Sequence, residues 1–404
     1  MGTSGSKSEK VSAHRISNLN AEQVGKAKLQ FRRASQGADQ MNKGQFNAFA
    51  EHFLSASMRE SVFNKIGQPH SKVSESIFVQ FADRMLGNTD ELAGCLMSIH
   101  GSIERFINDI VESLFLCENR RNSVEVAQLT KYLQRSAPKV NSEDGFGQWL
   151  HSSPFVIQLI ERVYTRLLLG ADNQLLPEFV GSKSSLLSTA EVFLVNFNVP
   201  REHRHKWELL FSSAQHGSSF SKMCTLVNNQ GPCLLCIESD DGRVFGGFAS
   251  AGFITGPTYT GNGCCFLFQD GPAMDIFAAT GFNDNYAYLN YNQLTLPNGM
   301  GIGGRDTYWS VFIREEDNVG LSGANVSTFE KCHLAGKNIF QPKNIQIWRT
   351  GEKPNLKKYD ENGDEIVETE RSVIDKDPGA KALLELTGKK LHSEAFREPH
   401  PEDG

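Results

Sequence analysis

A chain of 404 residues with 39% hydrophobic and 22% charged side chains has the make-up of a globular protein of two or three domains, and its formal charge of −6 gives no reason to expect nucleic acid as the main partner. No apolar run approaches the ~20 residues that cross a bilayer, and the polar N-terminus lacks the apolar core of a secretory signal, so neither a membrane span nor export is expected. The eight cysteines (Cys95, Cys117, Cys224, Cys233, Cys236, Cys264, Cys265 and Cys332) are few for the length and lie mostly in apolar stretches, which reads as reduced core thiols in the cytosol.

Residues 1–19 read as a flexible arm. Met1-Gly2-Thr3-Ser4-Gly5-Ser6 fits the N-myristoylation pattern, with Gly2 exposed once Met1 is removed. One myristoyl chain binds membranes only marginally, so a second signal is needed. No cysteine precedes Cys95, which excludes palmitoylation nearby. Lys7, Lys10, Arg15, Lys26, Lys28, Arg32 and Arg33 stand against Glu9 and Glu22, a net charge of +5 before Asp39. Such a stretch suits anionic lipid or a solvated helix face equally.

Residues 20–183 read as a series of amphipathic helices. Phe46, Phe49, Ala50 and Phe53 follow helical spacing, as do Ile77, Phe78 and Phe81, and then Ile103, Phe106, Ile107, Ile110, Val111 and Leu114. Trp149, Phe155, Val156, Leu159, Ile160 and Val163 suggest a further buried helix. The stretch from Asp39 resembles an EF-hand loop, with Gly44 sixth and Phe46 eighth. Its ligand places fail: Met41 and Lys43 replace oxygen donors, and Ala50 stands where a bidentate Glu belongs. The expectation is an EF-hand-like helix pair without metal, or an unrelated helical hairpin. Gly181–Ser185 reads as the linker into the next domain.

From residue 184 to 351 the character changes. Thirteen of the 36 glycines lie between Gly242 and Gly304, which fits a strand-rich domain with many tight turns. Two helices are expected first, one through Trp207–Phe211 and one from Ser219 through Met223, Leu226 and Val227. Strands follow at Cys233–Ile237 and Val244–Ala249, flanking the hairpin signal Asp240-Asp241-Gly242. Others are expected at Cys265–Phe268, Ile276–Ala279, Tyr286–Leu289, Trp309–Ile313 and Ile345–Trp348, with packed antiparallel sheets as the outcome.

These residues carry a family resemblance. Leu209-Leu210-Phe211-Ser212-Ser213 with His216-Gly217-Ser218-Ser219-Phe220 resembles the opening of a TLDc domain. Gly246-Gly247-Phe248-Ala249-Ser250, the Asn283–Asn290 stretch, the Gly299–Gly304 turn and the closing Ile345-Gln346-Ile347-Trp348 recur in the family's order. The resemblance implies an α+β chain: a helical EF-hand-like N-terminal region, a TLDc antiparallel β-sandwich with flanking helices, and a C-terminal helix. Within the family, the Met-Gly start, the helical region and the short tail are most similar to its myristoylated, mTOR-associated lysosomal branch.

No catalytic pattern stands out. Gly299–Gly304 follows Pro297-Asn298, not a strand, and has no P-loop lysine or hydroxyl, so a structural turn is expected. Cys233 and Cys236 have CxxC spacing, but positions three apart on a strand face opposite sides. Ser212 or Ser213, with His216 and Glu238, makes a Ser-His-acid triad on paper without a nucleophile elbow. A histidine that orients backbone at a helix start is the simpler reading of His216. His203 and His205 lie in a charged surface turn.

Residues 352–404 read as a charged linker and then a helix, capped by Asp377 with Pro378 in its first turn and ended by Gly388. Ala380, Leu383, Leu384 and Thr387 form its apolar stripe. A helix of about three turns is marginal alone in water, so it docks on its own domain or in a groove on a partner. TLDc proteins are associated with the vacuolar proton-pumping ATPase (V-ATPase) and its peripheral stalk. The resemblance therefore implies a non-enzymatic, cofactor-free V-ATPase regulator, cytoplasmic and peripheral on the lysosomal membrane through Gly2, with the terminal helix reaching a second subunit, the central rotor included. It also implies mTOR pathway partners. The alternatives are a membrane-recruited mTOR scaffold independent of the pump, and an oxidative-stress protection protein or hydrolase.

Overall fold

Two helix–loop–helix units open the chain, stitched together through their loops. The computed structural model describes residues 17–69, 71–182, 185–270 and 274–354, with two short strands at Lys358–Tyr359 and Glu365–Ile366. Helices α1 (Ala21–Ala34) and α2 (Lys43–Ala50) flank the first loop, and α3 (Ala56–Ile66) and α4 (Glu75–Met85) flank the second. Strands β1 (Gln40–Asn42) and β2 (Lys72–Ser74) pair antiparallel between the loops, with Met41 opposite Val73. Both side chains are fully buried.

This is the architecture of paired EF-hands, and it corrects the frame expected for the first loop. Gly44 and Phe46 lie inside α2, not in the loop. Met41 takes the apolar eighth place, which puts Ala34 first and Gln45 twelfth. The same register in the second loop puts Ile66 first and Ile77 twelfth, so neither loop has a carboxylate at either place. Hydrogen bonds hold the first loop instead. Gln45 exchanges a capping box with Asn42 (2.9 and 3.0 Å), and its Nε2 donates to the Ser35 carbonyl at 2.9 Å. One amide thus ties both ends of the loop.

Five more helices complete this half: α5 (Thr89–His100), α6 (Ile103–Cys117), α7 (Ser123–Ser136), α8 (Glu143–Ser152) and α9 (Pro154–Leu169). The single helix expected through Trp149–Val163 is two, because Pro154 cannot continue α8 and instead starts α9. Phe53 likewise falls beyond the end of α2. The buried His100 pairs with Asp109 at 2.9 Å, and Ser55 donates to the same carboxylate at 3.2 Å. The buried Arg162 joins Glu118 at 2.6 Å and also Asp172, tying α9 to the end of α6.

The strand-rich half is a sandwich. One sheet has seven strands in the order β3 (Glu178–Val180), β4 (Lys206–Ser212), β14 (Pro342–Thr350), β5 (Cys233–Ser239), β6 (Val244–Ala249), β7 (Phe266–Gln269) and β8 (Asp275–Ala278). The other has five, in the order β13 (Ile339–Phe340), β12 (Gly320–Leu321), β11 (Tyr308–Arg314), β10 (Gly299–Arg305) and β9 (Ala287–Asn290). All pairs are antiparallel except β3 with β4. Phe211, Leu235, Phe245, Leu267, Leu289, Ile302, Val311 and Ile347 fill the space between the sheets.

Trp207–Phe211 is strand β4, not a helix. Its short apolar run fits either period, and the place between β3 and β14 decides it. Asn196 fixes the strand: its Oδ1 accepts from Trp207 Nε1 at 3.1 Å, and its Nδ2 donates to the Leu175 and Arg204 carbonyls. The expected second helix is α12 (Phe220–Val227), capped by Ser219, after a short α11 (Ser213–His216).

Asn196 belongs to α10 (Thr189–Asn198), the seam between the two halves. Ala190, Phe193 and Leu194 pack into the helical core, while Val192 and Val195 pack under the seven-stranded sheet with Trp207 and Trp348. Phe115 meets Phe193 at 5.7 Å and Phe155 meets Phe197 at 5.1 Å. Helix α7 adds Gln128 to Asp270 at 2.9 Å and Arg135 to Asp275 at 3.0 Å. The two halves are therefore one packed unit through Lys353. In the following unit, Lys358–Tyr359 pairs antiparallel with Glu365–Ile366, within the stretch read as linker.

Candidate functional site

The catalytic sets that can be drawn on paper are not assembled. His216 Nδ1 accepts the Ser212 N–H at 3.0 Å, and its ring lies 5.6 Å from that of Phe211. A neutral imidazole that accepts on Nδ1 carries its proton on Nε2 and has no free base to offer. Ser213 Oγ accepts the Ile345 N–H at 2.9 Å. Glu238 is engaged by Lys343 and Asn344, and the Lys343 hydrogen bond, then that of Asn344, holds its carboxyl below the usual range. His216 thus orients backbone at the start of α11.

The cysteines are core residues in the main. Cys233 faces the sandwich interior and Cys236 the opposite side, under α10. Burial pushes the Cys233, Cys117, Cys224 and Cys332 thiols up to about 12, and Cys236 higher still. A thiol so raised is a poor nucleophile at neutral pH. Among the described residues no group of three or more His, Cys, Asp or Glu could hold a metal ion.

Gly299–Gly304 is strand β10, not a turn. It pairs with β9 on one side and β11 on the other. Its glycines make room for aromatic rings that lie across the strand. A Cβ on Gly299 would come 2.3 Å from Phe312 Cζ, and one on Gly301 would come 2.7 Å from Phe312 Cδ2. Trp309 stacks on Phe312 at 4.5 Å, with Tyr288 and Tyr259 against Trp309 at 5.4 and 5.9 Å.

This aromatic layer underlies an exposed loop, residues 291–298, which leads from β9 into β10. Leu294 is fully exposed at 103% and Leu296 is 39% exposed. The loop is tied down. Asn298 accepts from the Gln293 N–H at 3.0 Å and donates to the Gln293 carbonyl at 2.9 Å. Tyr288 donates to the Pro297 carbonyl at 2.9 Å, and Glu315 accepts the Asn292 N–H at 3.3 Å. The leucines are therefore presented by a braced loop.

Beside them lies a cleft of about 720 Å³ whose apolar lining is Pro297, Phe312 and Leu321. Asp306, Glu315 and Glu316 make its rim acidic, with Arg314 among them. Arg314 is already engaged by Asp317, and by Glu316 at 3.7 Å. Exposed leucines beside an apolar cleft with a charged rim have the chemistry that suits apolar and basic side chains of a protein partner.

Sequence reading missed this loop, although Leu294-Thr295-Leu296 inside a run of Asn, Gln and Pro was a signal: leucines among turn residues have no core face to supply. Gly2, where lipidation is expected, and the expected terminal stripe of Ala380, Leu383, Leu384 and Thr387 lie outside the described residues. Among the described residues, no helix is long and apolar enough to cross a membrane.

A family model for the TLDc domain matches residues 180–351, which hold the sandwich from the end of β3 onward together with α10. Residues 180–351 form a TLDc domain. The chain is 40% identical over 235 residues to MTOR-associated protein MEAK7 of Xenopus laevis, covering 57% of this chain and 49% of that protein. It is 38% identical over 216 residues to MTOR-associated protein MEAK7 of Homo sapiens, covering 53% and 46%. It is 31% identical over 167 residues to Oxidation resistance protein 1 of Xenopus tropicalis, covering 41% of this chain and 18% of that protein. The chain spans about half the length of the MEAK7 relatives it matches.

Proposed function

We propose that the chain is a regulator that binds the V-ATPase, with the TLDc domain gripping the peripheral stalk through the Leu294–Leu296 loop and its acidic cleft. The observation that carries a binding role is that braced, exposed pair of leucines, on a domain in which His216, the Ser213 hydroxyl and Glu238 are each committed to structural bonds. The TLDc match supports the choice of partner. In this reading the segment with Ala380, Leu383, Leu384 and Thr387 reaches a second subunit, the rotor included, and so tunes rotation. Myristate on Gly2 brings the chain to the lysosomal membrane. Purified V-ATPase should co-sediment with the chain. Deleting Asp377–Gly404 should alter pump ATPase activity while leaving the melting temperature of the rest unchanged. No co-sedimentation under any nucleotide condition would overturn the reading.

A second reading is a membrane-recruited mTOR scaffold independent of the pump, favoured by the names of the MEAK7 relatives. In that case Gly2→Ala abolishes lysosomal recruitment and signalling, and the chain shows no affinity for the pump.

A further inference from the structure

Helices α6 and α7 are joined by a connector whose sequence and exposure have no structural explanation. Together with the first two residues of α7 it reads Arg120-Arg121-Asn122-Ser123-Val124. Asn119, at φ +53°, turns the chain off α6, and Asn122 is extended. Arg121, Asn122, Ser123 and Val124 are exposed, Val124 at 74%. Among the described residues, neither guanidinium makes an ion pair. The first turn of α7 is held mainly by the Asn122 side chain, which accepts from the Val124 and Glu125 N–H groups at 3.1 and 3.4 Å. Two unpaired cations, a free hydroxyl and an apolar side chain left in water are costly or idle within this fold. In that order and spacing they are what an arginine-directed protein kinase recognises.

We propose that Ser123 is a phosphoacceptor for a basophilic serine/threonine kinase. Arg120 and Arg121, three and two residues before the acceptor, pair with carboxylates of the kinase. Val124 fills an apolar pocket beside its active site. Ser123 Oγ attacks the γ-phosphorus of Mg-ATP, the bond from that phosphorus to the β–γ bridging oxygen breaks, ADP leaves, and the hydroxyl proton passes to the catalytic aspartate of the kinase. Only the first turn of α7 must open to extend the segment, and helix ends fray most readily. The phosphate then sits at the positive end of α7, with Arg120 and Arg121 beside it. That helix also carries Gln128 and Arg135 to the TLDc domain.

The chain holds its own control. Arg32-Arg33-Ala34-Ser35 has the same Arg-Arg-X-Ser pattern, but both arginines belong to α1, Ser35 is fully buried, and its carbonyl is bonded to Gln45. The fold, not the pattern, separates the two.

The test is to incubate the folded full-length chain with the purified catalytic subunit of a cAMP-dependent kinase and Mg-ATP, and to map phosphate by mass spectrometry. Phosphate is expected on Ser123 and not on Ser35, which should become a substrate only after denaturation. S123A should remove the incorporation, and R120A/R121A should slow it by about tenfold or more, as the loss of two charge-assisted contacts implies. Both variants lie on exposed surface, and thermal melts matching wild type will show that they fold. A folded chain left unmodified at Ser123, or undiminished incorporation in S123A, overturns the proposal.

Discussion

Gly246→Val should prevent the TLDc sandwich from folding. Gly246 stands in the middle of β6, between Cys236 on β5 and Phe268 on β7. A Cβ there would sit 1.8 Å from the Leu235 carbonyl oxygen and 2.9 Å from Phe268 Cζ. The first neighbour is backbone of a central strand and cannot rotate away. Relief requires β5 and β6 to part, which breaks the ladder across the core. The expected loss exceeds about 4 kcal/mol, visible as loss of soluble protein and of cooperative melting. Gly256→Ala is the matched control. Nothing lies within 4 Å of its Cβ and its φ is ordinary, so its effect should stay within about 0.5 kcal/mol. A G246V chain that melted like wild type would show that the β5–β6 register is wrong.

Glu191→Gln should change how stability depends on pH. Glu191 is only 5% exposed, at the N-terminal end of α10 in the seam. Burial, and then the charge of Asp270, pushes its carboxyl from the ordinary 4.5 up to about 7. The folded state therefore binds this proton more tightly than the unfolded chain does. Its stabilising contribution is fully present below the unfolded value and is lost as pH rises through the folded one. Between about pH 4.5 and pH 7 the loss is on the order of 3 kcal/mol. Glutamine keeps an oxygen for the Ser188 N–H, which Glu191 now holds at 2.6 Å, and carries no charge. E191Q should match wild type near pH 5 and exceed it at pH 8 in urea unfolding. An equal pH dependence in the two proteins would refute a buried, charge-disfavouring site.

The parts of the fold that were legible had local causes. Asp240-Asp241-Gly242 supplies a hairpin turn with Gly242 at φ +81°, so β5 and β6 fell where expected. The opposite-face rule placed Cys233 and Cys236 in different cores. The errors came where tertiary neighbours decide. Trp207–Phe211 is apolar enough for a helix and becomes β4 because β3 and β14 flank it. Helix α10 was missed because both of its faces are buried, so it has no polar stripe to give the helical period away. The glycines of β10 suggested a turn, but they serve rings contributed by β11. In the first EF-hand-like loop, Gly44 drew the frame to the wrong place, and only the pairing of Met41 with Val73 corrects it. Of the candidate site, Phe312 and Leu321 meet Pro297 only through sheet pairing, which no local pattern in the sequence announces.

The most direct test of a binding role for the TLDc domain is the affinity of the purified chain for purified V-ATPase, wild type against L294S/L296S. Both leucines are exposed, so the double variant should melt at the wild-type temperature. If this loop grips the stalk, the variant should bind at least about tenfold more weakly, as expected when apolar anchors at the centre of an interface are lost. Wild-type affinity in a folded L294S/L296S chain would contradict the assignment of this surface.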